Sequence, residues 1–183
     1  MSRPCFNSIS NATAAGEPKS AIVFVASRKQ SQIVAIDMMS FAAASGAPDM
    51  FVGDAAALKQ SVGVVVDGAL AATLQRGIGF LHEAMSLSDR AVVIDLHKRG
   101  KINLLVAARS QIWSMSRLAA KVVVVMGCCF YDGREHRFSN YAITDVLEMV
   151  GRAGRAGVDK SARCVLMCHK PKKTYFQTLV HTP

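Results

Sequence analysis

The chain has 183 residues, 51% of them apolar, with 22 basic and 13 acidic side chains for a net charge of +9. That length suits one domain with a proper core, and the even spread of short apolar runs argues against a disordered chain. No run approaches the roughly 18 apolar residues of a membrane helix, no basic-then-apolar leader opens the chain, and the charge points to a polyanionic partner.

Residues 1–20 are small, polar and irregular in composition, and read as a linker or N-terminal extension before a domain over residues 21–183. Ala21-Ile-Val-Phe-Val25 is a continuous β-branched run, as expected of a strand covered on both faces. Ser27, Arg28 and Lys29 follow it, and residues 30–44 have helical composition. A strand that delivers polar groups into a helix start is a common ligand position in an open α/β sheet. Helix-terminal amides and two cations there can hold a phosphate, or Ser27 simply caps the helix beside two solvated cations.

A short helix is expected around residues 54–60 and another over 69–76, with no chemistry attached. Residues 77–82 read as a strand ending in His82, and Ser86 starts a helix whose buried side carries Val92, Val93 and Leu96. His97 to Lys101 closes that helix with cations, and Gly100 is a suitable stop. Residues 102–107 form the next buried strand, leading into Ala108-Arg-Ser-Gln-Ile-Trp113-Ser-Met-Ser116. A further strand over 121–126 precedes a turn at Tyr131-Asp-Gly-Arg134, with Gly133 supplying a positive φ.

Helical spacing returns at Ile143, Val146, Leu147 and Val150, with Thr144 or Asp145 as N-cap and Asp145–Glu148 spaced as a capping box. The segment runs into Gly151-Arg-Ala-Gly-Arg155, where arginines three apart leave one side of a helical turn. Converging guanidinium groups suit a phosphate chain, although the same five residues also read as a solvated basic turn. A last strand over 162–168 and a helix opened by Pro171, with Tyr175, Phe176 and Leu179 inward, complete the chain. The five cysteines show no zinc-like pair of pairs, and free thiols fit a reducing compartment.

Strands alternating with amphipathic helices call for an α/β fold, a mainly parallel sheet with helices on both faces. Ser27, the block 108–116 and the two arginines are expected to meet along one edge of it. The chain contains no Gly-x-x-x-x-Gly-Lys-Ser/Thr loop and no strand-borne Asp-Glu pair, so phosphoryl transfer by this domain alone is not expected.

Tyr141 to Arg155 closely resembles motif six of superfamily-two helicases, in the Gln-Met-Val/Leu-Gly-Arg-Ala-Gly-Arg form of the Ski-two-like RNA helicases. Val23 to Lys29 resembles motif four, Ala107 to Ser116 motif five, and Gly77 to Ser86 the Gly-x-Gly-x-His-His block. Leu81-His82-Glu83 and Arg163 to Phe176 match the variant in the C-terminal cassette of the family's two-cassette spliceosomal members. The resemblance covers nearly the whole chain and implies a RecA-like, P-loop-NTPase-type fold, this chain being the second RecA-like domain. Residues 3–9 resemble the passage from the first such domain, so Met1 is expected to be an excision point.

By the resemblance, Arg152 and Arg155 are catalytic, and Glu148, Gly151, Ser114 and Ser116 join them around the nucleotide. Ser27, Arg28, Lys29, His82, Ala108, Arg109 and Ser110 face nucleic acid. ATP with Mg2+ is implied, held mainly by a first RecA-like domain, together with RNA (small nuclear RNA in the family), spliceosomal proteins and a nuclear location. Ala108, Ser114, Ser116 and Glu148 depart from the family's threonine, glycine, asparagine and glutamine. They favour a regulatory, weakly active cassette over half of a working motor of the transcription and repair cointegrator type.

Overall fold

Five short apolar segments build the sheet at the centre of the domain. The computed structural model describes residues 1–13, 20–115, 118–155 and 157–181. In chain order the elements are α1 (Ser2–Thr13), β1 (Ala21–Val25), α2 (Arg28–Ala44), α3 (Ala55–Val62), α4 (Gly68–Leu74), β2 (Ile78–Leu81) and α5 (Leu87–Lys98). There follow β3 (Leu104–Ala108), β4 (Val122–Met126), β5 (Cys129–Asp132), β6 (Arg137–Asn140), α6 (Ile143–Val150), β7 (Arg163–Met167) and α7 (Lys173–His181). Single 3-10 turns at Arg109–Gln111 and Lys170–Lys172 lead out of β3 and into α7.

The main sheet has the order β2-β3-β1-β4-β7 and is parallel throughout. Every residue of β1, β2 and β3 is buried, as continuous apolar runs in a doubly covered sheet must be. The path from β1 to β2 crosses the sheet in one direction; those from β2 to β3 and from β4 to β7 return in the other. Right-handed crossovers therefore put α2 and α4 on one face and α5 and α6 on the other. The chain leaves the neighbouring strands β1 and β3 towards opposite faces, which opens a crevice at their C-terminal ends.

Local chemistry explains most boundaries. Asp54, Asp67 and Ser86 each accept a backbone N–H at the start of α3, α4 and α5. Past α5, Gly100 adopts φ +67°, and Lys101 N–H closes back on Leu96 O at 2.8 Å. Gly77, at φ +74°, runs so close to Phe51 that a Cβ would sit 2.1 Å from its carbonyl oxygen.

Four expectations are corrected. Residues 2–13 are a helix, not irregular chain, and Cys5, Phe6 and Ile9 from it are in the core; residues 14–19 lie outside the described residues. The segment after β4 is a two-stranded antiparallel ribbon, β5–β6, with the positive φ at His136 (+50°) rather than at Gly133. Tyr175 is 53% exposed, whereas Phe176 is buried. His97 is buried too, so it is not a cation at the end of α5.

Candidate functional site

The crevice where β1 and β3 end is lined by Ser27, Arg28, Lys29, Glu83, Arg109 and Ser110 around about 550 Å3. Ser27 accepts from Gln30 N–H at 3.4 Å, while Ala26 N–H donates to Gln30 Oε1 at 3.0 Å, a reciprocal cap. This leaves Arg28 and Lys29 exposed at the positive end of a 17-residue helix, where no macrodipole favours them. Neither is in a salt bridge among the described residues, so both are available to an anion. Ser110 donates to Glu83 Oε2 at 2.6 Å, and that hydroxyl holds the Glu83 carboxyl below its usual range.

Arg109 is committed elsewhere. Its Nη1 donates to Asp145 Oδ2 at 3.1 Å, and its guanidinium lies 4.0 Å over the Phe130 ring. His82 and Ala108 stand at the ends of β2 and β3, but both side chains are buried and neither meets the crevice. His82 Nε2 is 3.3 Å from Gln32 Nε2, the ring stacks on Phe80, and burial lowers its pKa. The structure thus gathers Ser27, Arg28, Lys29, Arg109 and Ser110, and leaves His82 and Ala108 beneath the surface.

The arginines of Gly151–Arg155 lie at the other edge of the sheet, a correction to the expected single edge. α6 runs back from the end of β4 to its beginning, where Gly154 N–H donates to Ala120 O at 2.8 Å. Neither Thr144 nor Asp145 caps α6; the cap position is Ala142, without a side-chain bond. Asp145 is buried and accepts instead from Arg109 and, at 3.2 Å, from Trp113 Nε1. Val146 and Met149 are the apolar residues of α6 that enter the core, while Ile143 and Leu147 are half exposed.

The two arginines also point apart. α6 ends at Val150 and Gly154 has φ +101°, so both arginines follow the helix in a turning backbone and their spacing of three no longer means one face. Arg152 is 5% exposed. Its Nη1 donates to Met115 O and Leu118 O, at 2.5 and 3.1 Å, and its Nη2 to Ile112 O at 2.6 Å. Glu148 Oε1 accepts from the same Nη2 at 2.9 Å, so this carboxylate is the counter-ion of a buried guanidinium.

Arg155 is held from one side by Asp159, with Nε–Oδ2 at 2.9 Å and Nη2–Oδ1 at 2.7 Å. That fork holds the Asp159 carboxyl below its usual range. The residue lines a cleft of about 230 Å3 with Ser20, His97, Lys98, Gly100 and Leu118. Ser20 immediately precedes β1, so this cleft is where the parallel strands begin. His97 is pushed down to about 4, mainly by burial, and is uncharged at neutral pH. Ser114 is exposed, and its hydroxyl donates to Gln111 O at 2.9 Å; Ser116 lies outside the described residues. Asp145, Asp159 and His97 are site residues that sequence reading missed, although the i,i+4 spacing of Arg155 and Asp159 was a usable signal.

An all-parallel five-stranded sheet, with a cationic crevice at its switch point and arginine-bearing turns behind α6, is a RecA-like α/β domain of the helicase kind. No protein-family model matches the chain. It is 39% identical over its whole length to the U5 small nuclear ribonucleoprotein 200 kDa helicase of Drosophila melanogaster. It is 37% identical over 99% of its length to the DExH-box ATP-dependent RNA helicase DExH12 of Arabidopsis thaliana. Identity to the activating signal cointegrator 1 complex subunit 3 of Dictyostelium discoideum is 31%, again over the whole chain. The chain belongs to the Ski-two-like RNA helicases, as a helicase domain, and spans about 8% of the length of these relatives.

Proposed function

We propose that this domain is the second RecA-like domain of a spliceosomal ATP-dependent RNA helicase, acting in the nucleus in pre-mRNA splicing. Its task is to complete an ATP site with a first RecA-like domain and to grip the RNA backbone. The observation that carries the RNA part is the crevice at the β1–β3 switch point, where Arg28 and Lys29 flank a helix N-terminus and, among the described residues, form no salt bridge, although Glu83 lines the same crevice. Phosphates entering there meet two cations and the α2 amides.

For the nucleotide, Arg155 is the residue that fits. Asp159 occupies one edge of its guanidinium, and Nη1 makes no hydrogen bond among the described residues. The free edge can meet the last phosphate of ATP presented by the first domain and stabilise charge there. Among the described residues no three metal-ligating side chains converge, so Mg2+ falls to the first domain. Ser114, exposed at the turn after β3, and Gly151, the C-cap of α6, are the further residues assigned to the nucleotide in this reading.

A regulatory, weakly active cassette that also binds spliceosomal proteins is the reading we favour. Ala108 offers no hydroxyl to RNA, and Glu148 is occupied with Arg152. An active motor of the cointegrator type is the second reading, supported by the 31% identity to that subunit.

Anisotropy titrations of the chain with a short single-stranded RNA test the RNA reading. Binding should be weak, indifferent to sequence and strongly salt-dependent. The Arg28→Ala/Lys29→Ala variant should lower the magnitude of the log K against log salt slope by about 1.4, some 0.7 for each phosphate that is no longer neutralised. A double variant with the parental slope and affinity removes the crevice from the proposal.

A further inference from the structure

The loop after β3 is fastened to the α6 segment at two points, and both fasteners are residues that a ligand would otherwise be expected to claim. At the start of α6, Asp145 accepts from Arg109 and from the indole N–H of Trp113. Seven residues on, Arg152 donates to the carbonyls of Ile112, Met115 and Leu118. Asp145 lies in the first turn of α6 and Arg152 just past its C-cap Gly151, so the two fasteners bracket the helix from its start to its end.

The arithmetic of donors matters here. A guanidinium has five N–H groups, and those on both terminal nitrogens of Arg152 serve three carbonyls and Glu148. To reach a phosphate it would have to leave the Ile112 and Leu118 carbonyl oxygens without their donor, Met115 O with only Leu118 N–H, and separate from its counter-ion. Arg155 has no such commitment to the loop: among the described residues its side chain bonds Asp159 alone.

We propose that Arg152 and Asp145 are positioning residues that clamp residues 109–115 and Leu118 to the α6 segment, and that Arg155 alone of the motif-six pair contacts anionic ligand. Only the role of Arg155 rests on the function proposed above; the clamp itself rests on the hydrogen bonds.

Two readouts on the 183-residue chain separate these roles. Trp113 is the single tryptophan, so its emission reports the Asp145 end of the clamp. The amides of Ser114 and Met115, which donate to Gln111 O, report the Arg152 end by hydrogen exchange. Inorganic tripolyphosphate is the anionic probe, titrated at constant ionic strength.

Arg152→Lys keeps the charge but not the fork. It should speed exchange at Ser114 and Met115 by about tenfold relative to the amides of β1, yet change tripolyphosphate affinity less than about twofold. Arg155→Lys should do the reverse, weakening tripolyphosphate by about fivefold or more with loop exchange at its parental rate. The clamp is overturned if Arg152→Lys costs as much affinity as Arg155→Lys while Ser114 and Met115 exchange as in the parent. Should Arg152→Lys fail to fold, Asp145→Asn must shift Trp113 emission to the red and speed exchange at Ile112 with affinity retained; unchanged emission and exchange would refute the clamp. A parent chain that ignores tripolyphosphate rules out Arg155 as a ligand contact, and with it the proposed division of roles, whatever the exchange data say of the clamp.

Discussion

The imidazole of His97 is sealed at the end of α5, 5% exposed, beside Arg155 and the first residues of β1. Its folded value of about 4 lies below the ordinary 6.5, so the unfolded chain takes up a proton that the folded chain refuses. Its contribution is therefore complete above pH 6.5 and declines as the pH falls towards 4. The full loss is on the order of 3 kcal/mol, at about 1.4 kcal/mol for each pH unit between the two values. Urea midpoints of the parent should drop over this window, and those of His97→Gln should be flatter; parallel curves would discount the effect. Asp159, Glu83 and Asp54 have lowered values, so their contributions begin to fade only near the foot of this window, below their ordinary 3.8 to 4.5, and are common to parent and variant. Residue identity alone marks Arg152 and Arg155 as cations of interest. It could not show which is consumed by carbonyls, because that depends on where Ile112, Met115 and Leu118 return in space.

Among the elements, those that bury both faces were legible from composition: β1, β3 and β4 fall within a residue or two of the apolar runs. The Ser86 cap and the Gly100 stop were legible too, because their chemistry is local. α1 was not, since Ser, Asn and Pro dominate its composition and only Cys5, Phe6 and Ile9 mark a buried stripe. Nor was the β5–β6 ribbon, whose residues are largely exposed and polar. Phe6 packs against Phe41 and Phe51, with centroids at 5.8 and 6.4 Å. Phe6→Ala should therefore destabilise the domain by about 3 kcal/mol in equilibrium denaturation, as a core truncation does. A cost below about 0.5 kcal/mol, the scale of an ordinary surface change, would return residues 2–13 to the status of a tether.

Across the whole molecule, the sheet keeps its two cationic sites apart, with Arg28 and Lys29 where the strands end and Arg155 where they begin. Sequence order hides this, because α6 carries its last residues back across the full depth of the sheet. The separation predicts independence. At matched ionic strength, saturating tripolyphosphate should leave RNA affinity unchanged, and Arg155→Lys should bind RNA as the parent does. Mutual competition in anisotropy would place both anions in one site and contradict the two-edge arrangement.

The strand order has a consequence for how the chain is made. β1 and β2 are synthesised before β3 and β4, yet they do not pair; β3, beginning at Leu104, inserts between them, and β4, beginning at Val122, covers the other side of β1. The fully apolar β1 must wait with both hydrogen-bonding edges vacant until about eighty further residues bring β3. During that interval α1 and α2, which pack on each other, are its available cover. Translation speed over the codons for residues 30–120 thus sets how long an aggregation-prone segment stays without its partners.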